Sequence, residues 1–429
     1  MHPLKEILAG SSDRQAGVYS VCTANALVLR AAIRHAKVHN YVAVIEATAN
    51  QVNQFGGYTG MTPDEYAAMV LQIAEEEALP AQQLILGGDH LGPLVWQALP
   101  EREAMSHSAE LVRQYTLAGF TKIHLDTSMR VADDDPDAPL DVRVCARRGA
   151  ELAGVVNAAF EARRQRVPDA LRPVLVIGSE VPIPGGSQEH EDSVQPTDAK
   201  EFCRQYSVFR EAFEAKGLSF ENVIAFVVQP GVEFGDDFAC QYESSNAQML
   251  TDALKKFSPL VFEGHSTDYQ TPDSLAAMVR DGIIILKVGP ALTFALRESL
   301  LQLESCEQIM IANKTRHSGF KDALLKEMNA SDRYWKKYYF GTEAEIAYKK
   351  IYSYSDRCRY YLPAHNVETA VRRLLENTMQ VPIALISQFF PQQYVKVQSG
   401  LLKDDGLSLL LDRVGGWCGI YAAACGVKQ

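Results

Sequence analysis

The sequence has little of what marks a secreted, membrane-spanning or nucleic-acid-binding chain. Its 8 cysteines (Cys22, Cys145, Cys203, Cys240, Cys306, Cys358, Cys418 and Cys425) are scattered without a CxxC pair. In a chain of 429 residues that excludes a zinc knuckle and argues for reduced cytoplasmic thiols rather than a disulfide frame. Positive charge is scarce: 42 Lys and Arg stand against 53 Asp and Glu, a formal net charge of −11. That excludes the basic footprint nucleic acids need, but not a local site for a small phosphorylated ligand. No run of about 18 apolar residues occurs, so no membrane span is expected. The opening MHPLKEILAGSSDRQAG has no apolar core, so no signal peptide is expected. There is no GxxxxGK[ST] and no other glycine string fit to cradle a nucleotide, so no nucleotide cofactor is expected. No repeat of about 20–50 residues is visible.

What remains is an alternation of short β-type runs with longer amphipathic stretches. The strands are expected at Gly17–Cys22, Tyr41–Ala47, Leu84–Gly88, Lys122–Asp126, Val174–Ser179, Val223–Gln229, Leu260–Glu263 and Ile283–Val288. Helical patterns lie between them, as at Pro63–Glu77, Glu101–Ala118, Ala138–Ala162, Ala199–Lys216, Asn246–Lys256 and Asp273–Arg280. Eight strands alternating with helices predict an α/β fold, a (β/α)8 TIM barrel over residues 1–295. The rival is a Rossmann-type sheet. Against it, no GxGxxG opens a helix after an early strand, and polar clusters follow nearly every strand instead of one switch point. Residues 296–429 read as a helical extension rich in aromatic and charged pieces such as Tyr334–Tyr339 and Asp356–Tyr361. Those pieces would pack either on the chain's own barrel or on a partner. The stretch Val181–Asp198 is the most loop-like.

The strand ends carry the chemistry. LILGGDHLGP at Leu84–Pro93 puts Asp89 and His90 at the C-terminal mouth of a buried strand, where barrel enzymes keep their active sites. Asp89 is the candidate for moving a proton. His90, Glu180, Glu263 and His265 are the candidate ligands of a divalent metal, zinc being the first choice for such nitrogen and oxygen donors. Glu263 and His265 are two apart and so face one side of a strand. The same groups would also serve as a hydrogen-bonded network without an ion. Asp126 either orients His90 or caps the next turn. Lys287 lies among Ile and Leu, and an ion pair inside the barrel is favoured there over a Schiff base. The loops Gly264–Thr267 and Gly289–Thr293 have the glycines, hydroxyls and helix start of the usual barrel phosphate site, although Ser266 and Thr293 equally suit helix capping. With Asn53, Gly57 and Gln229 at other strand ends, the candidate phosphate- or substrate-binding set is Asn53, Gly57, Gln229, Gly264, Ser266, Thr267, Lys287, Gly289 and Thr293.

The strings ATANQVNQFGGYTGM, LGGDHLGP, GSEVPIPGG, VVQPGVEFG, GHSTDYQT and LKVGPALTFALRE, in this order, resemble the non-catalytic subunit family of class II D-tagatose-1,6-bisphosphate aldolase. The likeness continues more loosely through RYWKKYY, SDRCRYY and ISQFFPQQ. The family is also labelled tagatose-6-phosphate kinase. It is related to the catalytic class II aldolases, which are zinc barrels. The resemblance implies that Asp89 is the proton-transfer acid and His90 a zinc ligand, and that Gly264–Ser266 and Lys287–Gly289 correspond to phosphate loops. Two departures stand out. Strand six of the catalytic enzymes ends in a zinc His, whereas Gln229–Gly235 contains none. Their strand-seven His is replaced by Glu263, with His265 two positions on. The expectation is therefore an accessory subunit that supports a separate catalytic aldolase subunit in galactitol, N-acetylgalactosamine or tagatose breakdown. The alternative is a metal-dependent ketose or sugar-acid C4 epimerase acting alone. A sugar or sugar phosphate is the expected ligand, and the assembly is open between a mixed complex and a homo-oligomer.

Overall fold

The computed structural model describes residues 1–10, 15–179 and 194–428. Eight parallel strands close into a barrel: β1 Val18–Cys22, β2 Ala43–Thr48, β3 Leu84–Leu91, β4 Lys122–Asp126, β5 Val174–Gly178, β6 Val223–Val228, β7 Val261–Gly264 and β8 Ile283–Val288. Around the barrel the order is β1-β8-β7-β6-β5-β4-β3-β2, with β1 and β8 meeting at the seam. Every strand expected from the sequence is present, and a helix follows each. Local signals set the helix ends. Thr62 and Glu65 form a capping box ahead of Pro63, and Asp198 caps the helix that starts at Ala199. A two-stranded ribbon, Glu233–Phe234 against Ala239–Cys240, follows β6.

The barrel interior has a dry floor and a charged upper layer. Val18, Val44, Ile85, Val174, Val176, Ala225, Val227, Val261 and Ile285 fill the floor, and helix Pro3–Leu8 plugs it with Leu4, Ile7 and Leu8. Strand side chains alternate with period two. The residues two further along therefore point inward one layer higher: Glu46 above Val44, Glu263 above Val261, Lys287 above Ile285.

The extension is not a separate unit. The boundary expected at residue 295 falls inside one continuous helix, Pro290–Met310. Helix Gly406–Ala424 returns to the barrel and packs against Pro290–Met310, Ala26–His39 and Pro272–Arg280. Tyr421 Oη donates to the Thr267 carbonyl at 2.5 Å, and Ala16 N–H donates to the Cys425 carbonyl at 2.8 Å. Among the aromatic pieces of the extension, Tyr334 and Tyr360 meet Tyr58 of the barrel, and Trp335 and Tyr338 pack against the main core, which barrel and extension share. All eight cysteines are free. Among the described residues no helix is long and apolar enough to cross a membrane.

Candidate active site

The mouth is built by a break in β3. Its pairing with β4 shifts register between Gly88 and Leu91, and His90 adopts a left-handed backbone with φ of 49°. In a regular strand, neighbours point to opposite faces. Here the break lets both Asp89 and His90 line the same cavity. A non-glycine residue held at positive φ is costly and marks a site that the surroundings determine.

Below and around them lies a buried ionic layer. Lys122 Nζ is 2.6 Å from Glu46 Oε1 and 2.6 Å from Glu263 Oε2, all three side chains fully buried. Lys287 pairs with Glu46 and lies 3.1 Å from Asp89 Oδ2, the ion pair expected for it. Gly87 makes the layer possible, because a Cβ there would stand 2.6 Å from Glu46 Oε1. The imidazoles are interlocked with the same carboxylates. His124 Nδ1 is 2.7 Å from Asp89 Oδ1, His265 Nε2 is 3.0 Å from Glu263 Oε1, and His90 Nδ1 is 2.8 Å from Asp126 Oδ2. Asp126 performs both roles considered for it, since Oδ1 also accepts from Ser128 N–H and Oγ–H. Burial pushes the Asp89 carboxyl up, but His90, His124 and His265 outweigh it and hold it well below the usual carboxylate range. Burial pulls His90 down, and Asp89, Asp126 and Glu263 more than offset this, raising it to about 9.

Asp89, His124, Glu263 and His265 offer ligand atoms that all lie within 4.8 Å of one another, and all four are buried. Among the described residues His124 Nε2 is buried without a hydrogen-bond partner, although buried imidazole nitrogens normally have one. Two nitrogens and two carboxylates, one nitrogen orphaned, fit a divalent ion. His124 had not been singled out from the sequence. It belongs to this group, whereas His90 sits beside it, its Nε2 3.7 Å from Asp89 Oδ2 and its Nδ1 held by Asp126. Glu180 lies outside the described residues.

The candidate binding residues separate. Ser266, Lys287 and Gly289 line the mouth cavity, which also includes Asn50, Tyr58, Asp268, Arg359 and Tyr360. Asn53 and Gly57 line an adjoining cavity. The polar atoms of Asn53 are spent on the loop, accepting from Phe55 and Gly57 N–H and donating to the Ala49 carbonyl. Three other expected contacts are consumed by the protein. Gln229 Oε1 accepts from Gly231 and Val232 N–H, Thr267 Oγ1 donates to the Lys287 carbonyl, and Thr293 Oγ1 donates to Asp356 Oδ2. Gly264 is a packing glycine, since a Cβ there would stand 2.8 Å from Ile283 Cγ2.

The expected phosphate seat at the start of helix Pro290–Met310 is filled from within. Asp268 Oδ1 accepts from Gly289 N–H at 3.1 Å and Ala291 N–H at 2.7 Å. Burial pushes its carboxyl up to about 6. The helix terminus that would attract an anion already holds one.

The pattern of the D-tagatose-1,6-bisphosphate aldolase subunit GatZ/KbaZ-like family matches residues 4–426. The structure is similar to that of a probable tagatose 6-phosphate kinase from Sinorhizobium meliloti, with a TM-score of 0.85 and 38% identity over 95% of this chain and 100% of that one. Two remoter structures are the YdjI aldolase of Escherichia coli K12 (TM-score 0.41, 10% identity, 85% of this chain and 93% of that one) and fructose-bisphosphate aldolase of Campylobacter jejuni (0.40, 13%, 87% and 90%). Both are too distant to bear on the site.

Proposed function

The chain belongs to the D-tagatose-1,6-bisphosphate aldolase subunit GatZ/KbaZ-like family, and on that premise we propose that it is the accessory subunit of a cytoplasmic class II aldolase. In this role it supports a separate catalytic subunit in galactitol, N-acetylgalactosamine or tagatose breakdown. The observation that carries the reading is Asp268 in the anion seat before helix Pro290–Met310. In a barrel that cleaved a bisphosphate by itself, that seat is the expected place for one of the two phosphates. Supporting this, Gln229 at the end of β6 has its oxygen turned onto the loop amides and brings no imidazole. The test is to mix the chain with a catalytic subunit and follow cleavage of D-tagatose 1,6-bisphosphate. The chain alone should be inactive, and the partner should gain rate or heat resistance. A partner unchanged by the mixture refutes the assignment.

A second reading is favoured by the cluster itself: a metal-dependent C4 epimerase of ketoses or sugar acids. A stabilising subunit has no need for four buried carboxylates interlocked with three imidazoles, since buried charges are costly. A divalent ion held by Asp89, His124, Glu263 and His265, zinc by preference, would supply Lewis acidity to adjacent ketone and hydroxyl oxygens. Asp89, kept ionised by its neighbours and oriented by Lys287 and His124, would give one oxygen to the ion and take the 4-hydroxyl proton on the other. Metal analysis of the purified chain tests this directly. It should carry about one ion, lost in His124→Phe. Absence of bound metal, with no turnover of D-fructose, D-tagatose or D-tagaturonate on adding zinc, manganese or nickel, removes the reading.

A further inference from the structure

We propose that the ligand of the mouth carries an acidic group, carboxylate or phosphate, and that Arg357 and Arg359 of the extension bind it. The proposal rests on the reading that the mouth takes a ketose. Its starting point is a missing counter-charge.

Arg357 is almost fully buried. Its guanidinium lies between two rings, 3.6 Å from the centroid of Tyr338 and 4.6 Å from that of Tyr360. Nε donates to the Tyr334 carbonyl at 2.6 Å, and among the described residues Nη1 is buried without a hydrogen-bond partner. Arg359 Nη1 donates to the Asp356 carbonyl at 2.9 Å and Nη2 to Tyr360 Oη at 3.1 Å. Carbonyls and a phenol satisfy N–H groups but do not neutralise charge. Among the described residues no carboxylate is in ion-pair distance of either arginine. Asp356, next to Arg357 in the chain, is taken by Arg297 Nε at 3.0 Å and by Thr293 Oγ1. Buried cations are normally paired. A planar guanidinium fork in want of an anion suits a carboxylate or phosphate.

The two arginines line neighbouring cavities. Arg359 lines the mouth cavity with Asp89, His265 and Lys287, while Arg357 lines the adjoining one with the exposed Arg333. Asn50, Tyr58 and Tyr360 are walls of both cavities. A ligand whose oxygens sit on the barrel cluster thus has its far end directed to the arginines, and not to the helix terminus that Asp268 fills. Tyr360 shares in the seat. Burial raises its phenol, but Arg357 and Arg359 outweigh this and lower it, as a surplus of positive charge demands.

Calorimetric titration of the full chain, with zinc present, should compare D-tagatose, D-tagatose 6-phosphate and D-tagaturonate. One acidic ketose is expected to bind about ten-fold or more tighter than D-tagatose, the effect of one charge-assisted contact. In Arg357→Gln and Arg359→Gln the ratio of acidic to neutral affinity should fall toward one. Should either variant fail to fold, the unmodified chain decides. The matching small anion, inorganic phosphate or acetate, should weaken the acidic ketose and leave D-tagatose unchanged. Equal binding of acidic and neutral ketoses, an advantage that survives both substitutions, or no competition by the anion overturns the inference alone. If none of the three sugars binds, the ketose reading falls together with it.

Discussion

The two walls of the mouth are made in different ways. The barrel wall is an interlocked ionic layer: four carboxylates, two ammoniums and three imidazoles, each held by another member at short range. The extension wall is a stack of tyrosines and arginines, held by ring contacts and by main-chain carbonyls. The first has negative charge to spare and the second has positive charge to spare. A ligand with metal-binding oxygens at one end and an acidic group at the other answers both. The difference teaches that the extension is part of the site's electrostatics and not only a cover.

Four changes test how far the walls differ. The largest effect is expected from Lys122→Met, which strands Glu46 and Glu263 without their shared cation. Breaking a buried pair costs roughly 3–5 kcal/mol, so denaturant unfolding should show a chain near the limit of folding. Next is Arg297→Met, which frees the buried Asp356 and unties the extension wall from helix Pro290–Met310. A loss of about 3 kcal/mol is expected, with faster proteolysis around Asp356–Tyr361 and little change at the barrel cluster. A comparable loss of metal in this variant would show that the two walls are one cooperative unit. Third, Asp126→Asn removes one carboxylate of the layer, the one that holds His90. The His90 pKa, raised to about 9 in part by Asp126, should fall in an NMR titration, while zinc, whose candidate ligands are Asp89, His124, Glu263 and His265, should bind nearly as before. The smallest effect calibrates the barrel floor, away from both walls. Burial pulls the His2 pKa to about 4, and its Nδ1 accepts from Leu4 N–H as a helix cap. The unfolded chain therefore takes up a proton first, and stability declines as pH falls from about 6.5 toward 4. His2→Asn keeps a capping side chain and should flatten that part of the pH–stability curve.

The barrel was legible because its strands are apolar runs with polar groups at fixed offsets. The chain DHL and the pair Glu263 and His265 stood out for the same reason. His124 and Lys122 were equally visible in KIHLD, where period two places Lys122, His124 and Asp126 on one inward face. They were missed because a strand interior was expected to be apolar there. Asp268 in the anion seat was not legible. The helix-start pattern Gly289-Pro290-Ala291 looks the same whether its amides await a ligand or hold a carboxylate from 21 residues upstream. Arg357 and Arg359 were noticed only as interface-like residues, since nothing periodic ties them to the mouth. The end of the barrel was drawn at residue 295 because the strand rhythm stops there, but a helix has no reason to stop with it.

The return of helix Gly406–Ala424 to the barrel has a consequence for how the molecule comes into being. During synthesis from the N-terminus, β1 and β8 can pair as soon as β8 has emerged, yet the outside of their seam remains bare. The segment that covers it is made only after the whole extension. Contacts between partners so far apart in sequence form slowly, and exposed apolar surface invites association meanwhile. Nascent chains halted before Gly406 should therefore carry every residue of both walls but lack the helix that covers the seam.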